Sequence, residues 1–284
     1  DRPWNEDERP VLASLTFDSA RAEFFLKLDP FHVMKVGVSR DVCGSIIYAL
    51  CRLGLFDAEG DLVNLKARLE RAHGAFRLYC ATHSKSPGLR SFKPAFFNAV
   101  KRSQSPWTNS KGSDTTLLLS WLQCWIQVLM QTEPRAQEHS GLLEVMLKLV
   151  TEILDMHALC QSHGLFLDWH CGRRLYSRLM KIARLYQLAA RKSLALQIVG
   201  FALKPKFHAL KHVAYQLRQE LFRSSTVTNP YIHNCEMNED HVGHVSSLSR
   251  NVSGQTVCYR VIQRYFLKTH ALIVDRRRKL RRCQ

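Results

Sequence analysis

Glycine and proline are scarce in this sequence of 284 residues, which has 13 Gly and 9 Pro. This scarcity disfavours an all-β sandwich, whose many tight turns need both residue types. Apolar residues make up 46% and charged residues 23% of the chain, a globular mixture that excludes intrinsic disorder. The length predicts one large domain or two small ones.

The nine cysteines include no C-x-x-C pair, and a chain of this size needs no disulfide staples. We therefore expect reduced thiols and a nuclear, otherwise cytoplasmic, protein that is not secreted. Long apolar runs are missing as well. The longest uncharged run, Thr115 to Thr132, is interrupted by polar residues and predicts a buried helix, so no membrane partner is expected. Because the chain starts with Asp1 and not with Met, we expect a piece of a longer protein.

Acidic residues are few: 24 Asp and Glu stand against 41 Lys and Arg, which gives a formal net charge of +17. The last ten residues contribute +5 of this, so +12 remains on the body of the chain. Lys and Arg that neutralise phosphates dominate non-specific binding of nucleic acid. Nucleic acid is therefore the leading candidate partner, and a basic soluble protein without such a partner is the alternative.

Helical periodicity dominates the chain, and Gly54 is a natural stop for the first helix. We predict helices over residues 39–53, 62–76, 94–101, 113–130, 141–160, 168–190, 207–221, 237–251 and 255–273, with residues 84–114 as a linker or loop region. Residues 23–28 predict a buried strand that ends at Asp29-Pro30. The predicted fold class is mainly α, a helical bundle with one or a few short strands near the N-terminal end.

Three groups of residues have the composition of chemical sites. The first is the segment Asp29-Pro30-Phe31-His32, followed by Gly44-Ser45-Ile46. A carboxylate at the end of a strand is well placed to hold a divalent metal, and His32 could orient it. In the alternative interpretation Asp29 begins a turn and His32 packs under it.

The second group is Lys204-Pro205-Lys206-Phe207-His208, which continues to Lys211 and His212. Lysines near a helix start can fix a backbone phosphate, so Lys204, Lys206 and Lys211 are candidate nucleic-acid contacts. A zinc site around His208 and His212 is the alternative, with ligands from His233, Cys235, His241 and His244.

The third group is an acidic helix start, where Glu236, Glu239 and Asp240 lie within five residues of one another. A bound metal would compensate these carboxylates. The alternative is an ordinary acidic first turn that is stabilised by the helix dipole and capped by asparagines.

Together these segments resemble the DDE/D transposases of cut-and-paste DNA transposons, in particular the CACTA- and Plavaka-like groups. The resemblance rests on Asp29-x-x-His32 with Gly44-Ser45-Ile46-Ile47, on Lys204-Pro205-Lys206 with His208 and His212, and on the acidic helix that contains Glu239. These motifs stand in the order that the family shows, separated by a long helical insertion.

The resemblance implies a partial RNase H-like segment over residues 1–60, a helical insertion over 61–203 and a C-terminal helical segment over 204–284. It implies metal-dependent phosphodiester cleavage and strand transfer in the intact parent protein, with Mg²⁺ or Mn²⁺ as cofactor and little activity in this piece alone. Asp29 and Glu239 would be the catalytic metal ligands and His32 would support Asp29. The family's first catalytic Asp would lie upstream, since Asp18 lacks a strand pattern around it.

The DNA contacts that we predict are Lys204, Lys206, Lys211, Arg250, Arg276, Arg277 and Arg278, of which the last three belong to a basic tail. DNA is the expected partner, and self-association is a further expectation. The second interpretation is a non-catalytic, basic helical module that binds nucleic acid or protein.

Overall fold

The computed structural model describes residues 16, 27–57, 60, 63–101, 103–250 and 252–282. The chain divides into two compact units, Asp1–His233 and Asn234–Gln284. The predicted boundaries after residues 60 and 203 stay predictions.

The described part of the first unit is built mainly from helices. A π-helix, Phe31–Val38, runs directly into α1, Ser39–Arg52, and the following helices are α2 (Leu65–Thr82), α3 (Gly112–Thr132), α4 (Pro134–Glu138), α5 (Ser140–Gln161), α6 (Trp169–Ala195) and α7 (Pro205–Leu221). The strands β1, Phe166–Asp168, and β2, Thr226–Thr228, pair antiparallel, with Leu167 opposite Val227. A 3₁₀ helix, Pro230–His233, ends the unit.

The second unit contains two helices, α8 (Glu236–Ser249) and α9 (Val257–Arg282). They contact each other through the ring of Tyr265, which lies 5.8 Å from the ring of His241 and 6.3 Å from that of His244. The guanidinium of Arg264 donates hydrogen bonds to the carbonyl oxygens of Leu248 and Arg250, which end α8.

The predicted mainly α class with few short strands is confirmed, but the strands lie elsewhere than expected. Lys27, Leu28 and Asp29 have irregular backbone, and the rest of the predicted strand, residues 23–26, lies outside the described part. Asp29-Pro30 begins a helix because Pro30 has helical φ and ψ angles and the backbone N–H of Phe31 donates to Asp29 Oδ1 at 2.8 Å. The observed strands instead flank α6 and α7.

Two helix predictions need correction. Residues 94–98 form turns rather than the predicted short helix, because Asn98 adopts a left-handed φ of 48°. The second helix starts at Leu65, since Asn64 caps it by accepting a hydrogen bond from the N–H of Ala67 at 2.9 Å. The stop predicted at Gly54 is confirmed by its positive φ of 69°.

A single hydrophobic core runs through the first unit, from the π-helix to β2. Its centre is aromatic: the ring of Trp121 lies 5.5 Å from that of Phe76 and 6.2 Å from that of Phe92. The π-helix packs beside this core on α1, which directly follows it, and on α3 and α7, which are distant in sequence, and these helices fix its position.

Candidate functional site

Asp29 and His32 form a hydrogen-bonded pair at the start of the π-helix. His32 Nδ1 lies 2.6 Å from Asp29 Oδ2, and the N–H of Phe31 donates to the other carboxylate oxygen at 2.8 Å. The pair is open to solvent, with the side chains of His32 and Asp29 exposed by 47% and 23%. The two residues that were predicted to interact are therefore in contact, and the hydrogen bond from the N–H of Phe31 to Asp29 also fits the alternative interpretation, in which Asp29 begins a turn.

The π-helix that follows has an irregular point at Gly37, whose φ and ψ are −118° and −105°. A Cβ atom at Gly37 would lie 2.6 Å from the carbonyl oxygen of His32 and 2.8 Å from Cδ of Lys206. Only glycine fits between these groups without a shift of backbone. π-Helical turns are rare and often occur at functional sites, so this segment is a candidate part of such a site.

Lys206 and Lys204, from the Lys-Pro-Lys segment, hold the far end of the π-helix and the start of α1. Lys206 Nζ donates to the carbonyl oxygen of Val36 at 3.1 Å. Lys204 Nζ pairs with Asp41 Oδ1 at 2.5 Å and lies 5.7 Å from the ring centroid of Trp107. Both predicted DNA-contacting lysines thus have partners inside the protein.

Burial dominates the titration of this charged cluster. It raises the pKa of Asp41 above the usual range, although the hydrogen bond and charge of Lys204 oppose the shift. It also lowers the pKa of the Arg40 guanidinium and of the Lys206 ammonium. The buried carboxylate of Asp41 therefore lies among three cationic side chains, of which Lys204 and Arg40 are half-buried and Lys206 is exposed, so the cluster has a net positive charge.

The Gly44-Ser45 segment joins the same assembly. Ser45 Oγ accepts a hydrogen bond from the N–H of Phe201 at 2.8 Å, although 156 residues separate the two. A Cβ atom at Gly44 would collide with the backbone of Trp107. Glycine therefore allows the backbone at Trp107 to pass close to α1. The structure therefore brings together the first two of the three motif segments on which the resemblance rests.

The third segment lies in the second unit. Glu236 and Glu239 occupy the first turn of α8, where the helix dipole favours negative charge, and the Asn234 side chain accepts from the N–H of Glu236 at 3.1 Å. This is the arrangement that the acidic-turn alternative predicts. The joint metal site of Asp29 and Glu239 stays a prediction.

The other predicted DNA contacts are accessible. Lys211 is exposed on α7 with its ammonium 5.6 Å from the ring centroid of Phe207. Arg250 is exposed at the end of α8, and Arg276, Arg277 and Arg278 are exposed on α9. His208 and His212, the core of the zinc alternative, lie on one exposed face of α7 with their Nε2 atoms 2.8 Å apart.

The Asp29 carboxylate meets the chemical requirement for one metal ligand. Each of its two oxygens takes part in one of the hydrogen bonds given above, and carboxylate oxygens are ligands that Mg²⁺ and Mn²⁺ prefer. Carboxylates that ligate a metal are themselves hydrogen-bonded by neighbouring groups, which is the part His32 could play here. That Asp29 holds Mg²⁺ or Mn²⁺ with His32 fixing its orientation stays a prediction.

Two residues of this assembly could not be singled out from the sequence. Asp41 lies within α1 and Trp107 lies between helices, and their common partner Lys204 is distant in the chain. No local pattern in the sequence pairs either residue with Lys204.

No helix in the described part of the chain is both long and apolar enough to cross a membrane. Comparison with protein-family models, with curated proteins and with solved structures found no match for this chain.

Proposed function

We propose that this chain belongs to the DNA-cleaving machinery of a DDE/D-type transposase, in which Asp29 and Glu239 hold a divalent metal and His32 orients Asp29. The observation that carries this proposal is the assembly of the first two motif segments. Residues 29–47 and 200–206 are separated by more than 150 positions, yet Lys206 bonds to Val36, Lys204 to Asp41 and Phe201 to Ser45. Segments that build one site must meet in this way.

Each group has a definite task in this proposal. A divalent metal at Asp29 would polarise a phosphodiester and activate an attacking oxygen. His32 holds the carboxylate in one orientation through the 2.6 Å contact, and Lys206 holds the π-helix that contains His32 and follows Asp29-Pro30. Lys204 and Lys206 act as supports for the site rather than as DNA contacts.

Binding of Mn²⁺, followed by electron paramagnetic resonance of the free ion, tests this proposal. We expect Asp29→Asn and Glu239→Gln each to weaken binding by at least about tenfold, since even supporting residues of metal sites contribute that much. Glu144→Gln is the matched control, because Glu144 is an exposed carboxylate on α5 with its side chain 52% exposed. Unchanged Mn²⁺ affinity in both Asp29→Asn and Glu239→Gln would overturn the proposal.

A non-catalytic nucleic-acid-binding module is the second candidate. It is favoured by the position of Glu236 and Glu239 in the first turn of α8, where helix stability alone accounts for acidic residues. This candidate predicts binding of nucleic acid that needs no divalent metal and is unaffected by Glu239→Gln.

A further inference from the structure

We propose that one face of α6 is a binding surface for the phosphate backbone of duplex DNA. Residues 169–219 contain 11 Lys and Arg and no Asp or Glu. This stretch therefore carries +11 of the net charge of +17, and with +5 in the last ten residues only +1 is left for the rest of the chain. The positive charge of the protein is concentrated in two segments, and α6 begins the larger one.

The basic side chains of α6 lie on its solvent face. Exposed cations are Arg173, Arg174, Lys181, Arg184, Arg191 and Lys192, and the buried side of the helix carries Leu175, Leu179, Ile182 and Tyr186. At about 100° per residue, Arg173, Arg184 and Arg191 form one row along the helix, and Arg174, Lys181 and Lys192 form a second row roughly 90° away. We call these six residues the α6 stripe.

Most of the α6 stripe is electrostatically unpaired. Lys181 pairs with Glu152 of α5, but the other five cations make no ion pair with any residue in the described ranges. Arg178, which lies outside the stripe, also pairs with carboxylates of α5, with Glu152 at 2.7 Å and with Asp155 at 2.9 Å. A helix face that keeps five unpaired cations is suited to a polyanion.

The dimensions and chemistry of the α6 stripe favour a nucleic-acid backbone over an acidic protein. At ~1.5 Å per residue the stripe is about 28 Å long, which matches roughly eight base pairs at ~3.4 Å each. Four of its six cations are arginines, whose guanidinium groups bind phosphate oxygens in pairs. Between Arg173 and Lys192 the only exposed large apolar side chain is Leu188, whereas protein interfaces have an apolar centre.

The choice of duplex DNA as the polyanion rests on the proposed function; the surface itself rests on the charges of α6. The observations that support the α6 stripe do not depend on those that support the Asp29 site. Lys204 and Lys206 of the Lys-Pro-Lys segment already bond to groups within the protein, so in this proposal another element contacts the DNA.

Salt-dependent binding of a 20-base-pair duplex, measured by fluorescence anisotropy on the full chain, tests the inference. The variant Arg173→Gln/Arg184→Gln/Arg191→Gln removes one row of the stripe. The control Lys66→Gln/Arg77→Gln/Arg90→Gln removes the same charge from exposed residues elsewhere. We expect the stripe variant to lose on the order of 100-fold in affinity at ~0.1 M salt and to reduce the salt slope by about 2.7, and the control to change affinity less than about threefold.

Three other outcomes would overturn the inference or a part of it. Equal losses in the two variants would show diffuse attraction and overturn the α6 assignment while the Asp29 proposal stands. Tighter binding of an RNA duplex of the same length, with the same dependence on the three arginines, would overturn DNA as the occupant. If the unaltered protein bound no duplex at ~50 mM salt, the α6 inference would fail, whereas the Mn²⁺ measurement would still decide the proposed function. Far-ultraviolet circular dichroism of both variants checks that they are folded.

Discussion

Lys206 and Val36 are joined by a hydrogen bond from the lysine ammonium to the backbone carbonyl oxygen, at 3.1 Å and across 170 residues of sequence. The same lysine lies against Gly37, so the aliphatic stem of Lys206 and the irregular turn of the π-helix fill one space. This contact ties the π-helix, which contains His32 and follows Asp29-Pro30, to the start of α7.

Gly37→Ala should destabilise the first unit by about 1–3 kcal/mol, because the new methyl group would lie 2.6 Å from the backbone carbonyl oxygen of His32 and force a shift there. Gly74→Ala is the matched control: Gly74 is exposed within α2, and a Cβ atom there meets nothing within 4 Å. We expect this control to stabilise by about 0.5–1 kcal/mol through helix propensity. Chemical unfolding of both variants measures the two values, and equal effects of the same sign would contradict the close contact at Gly37.

The ion pair between Lys204 and Asp41 should contribute to the stability of the first unit. Asp41 is only 7% exposed, and Lys204→Met would leave its carboxylate buried beside α1 without this ammonium. We expect the free energy of unfolding to fall by about 1–3 kcal/mol. This is less than for a fully buried ion pair, because the Lys204 side chain is partly exposed. Lys66→Met, on the surface of α2, should cost no more than about 0.5 kcal/mol.

The double variant Asp41→Asn/Lys204→Met separates charge from packing. If the cost of Lys204→Met comes from an unpaired carboxylate, replacing Asp41 as well should restore part of the lost stability. An additive double variant would show that the two side chains do not interact.

The buried His157 should make the free energy of unfolding depend on pH. Burial lowers its pKa to about 3, with a smaller contribution from the charge of Lys35, and its Nδ1 atom bonds to the hydroxyl of Tyr231. The unfolded chain takes up a proton near the ordinary histidine pKa of ~6.5, whereas the folded protein does not. Stability from this group is therefore full above pH ~6.5 and falls as pH drops towards 3, by about 1.4 kcal/mol per pH unit.

Unfolding free energies of the unaltered protein and of His157→Asn, measured between about pH 5 and 7.5, check this prediction. The slope that the variant loses should correspond to about one proton. His170→Asn is the control, because His170 is exposed on the surface of α6. An identical pH slope in the unaltered protein and in His157→Asn would contradict the assignment.

His32 should influence metal binding through Asp29 without being a ligand. His32→Ala removes the group 2.6 Å from Asp29 Oδ2, and we expect Mn²⁺ affinity to fall by about 10–100-fold. His32→Asn, whose amide can still donate a hydrogen bond, should recover part of the loss. Equal affinity in the unaltered protein and in both variants would show that His32 does not support a metal ligand.

How far the sequence predicted the structure depended on the range of the interactions. Local signals gave most helices within a few residues, as with the stop at Gly54 after α1, although the cap at Asn64 that starts α2 was missed. The Asp29-Pro30 step was misinterpreted as a strand end because a proline that ends one element is also a favoured first residue of a helix. The apolar run before it gave no means of choosing.

Long-range relationships could not be predicted from local patterns in the sequence. The meeting of Gly44-Ser45 with residues 200–206 follows from tertiary packing that no local pattern encodes. The α6 stripe was different: an acid-free run of 51 residues was visible in the sequence, but its division into a buried and a solvent face became evident only once α6 was placed between α5 and α7.

The most direct test of the central claim is an anomalous difference map from crystals of this chain soaked in Mn²⁺. The proposed function predicts a Mn²⁺ peak that is coordinated by the carboxylates of both Asp29 and Glu239, at roughly 2.0–2.3 Å as expected for oxygen ligands of small divalent cations. A well-ordered Asp29 without a Mn²⁺ peak, or a peak whose ligands exclude both Asp29 and Glu239, would contradict it.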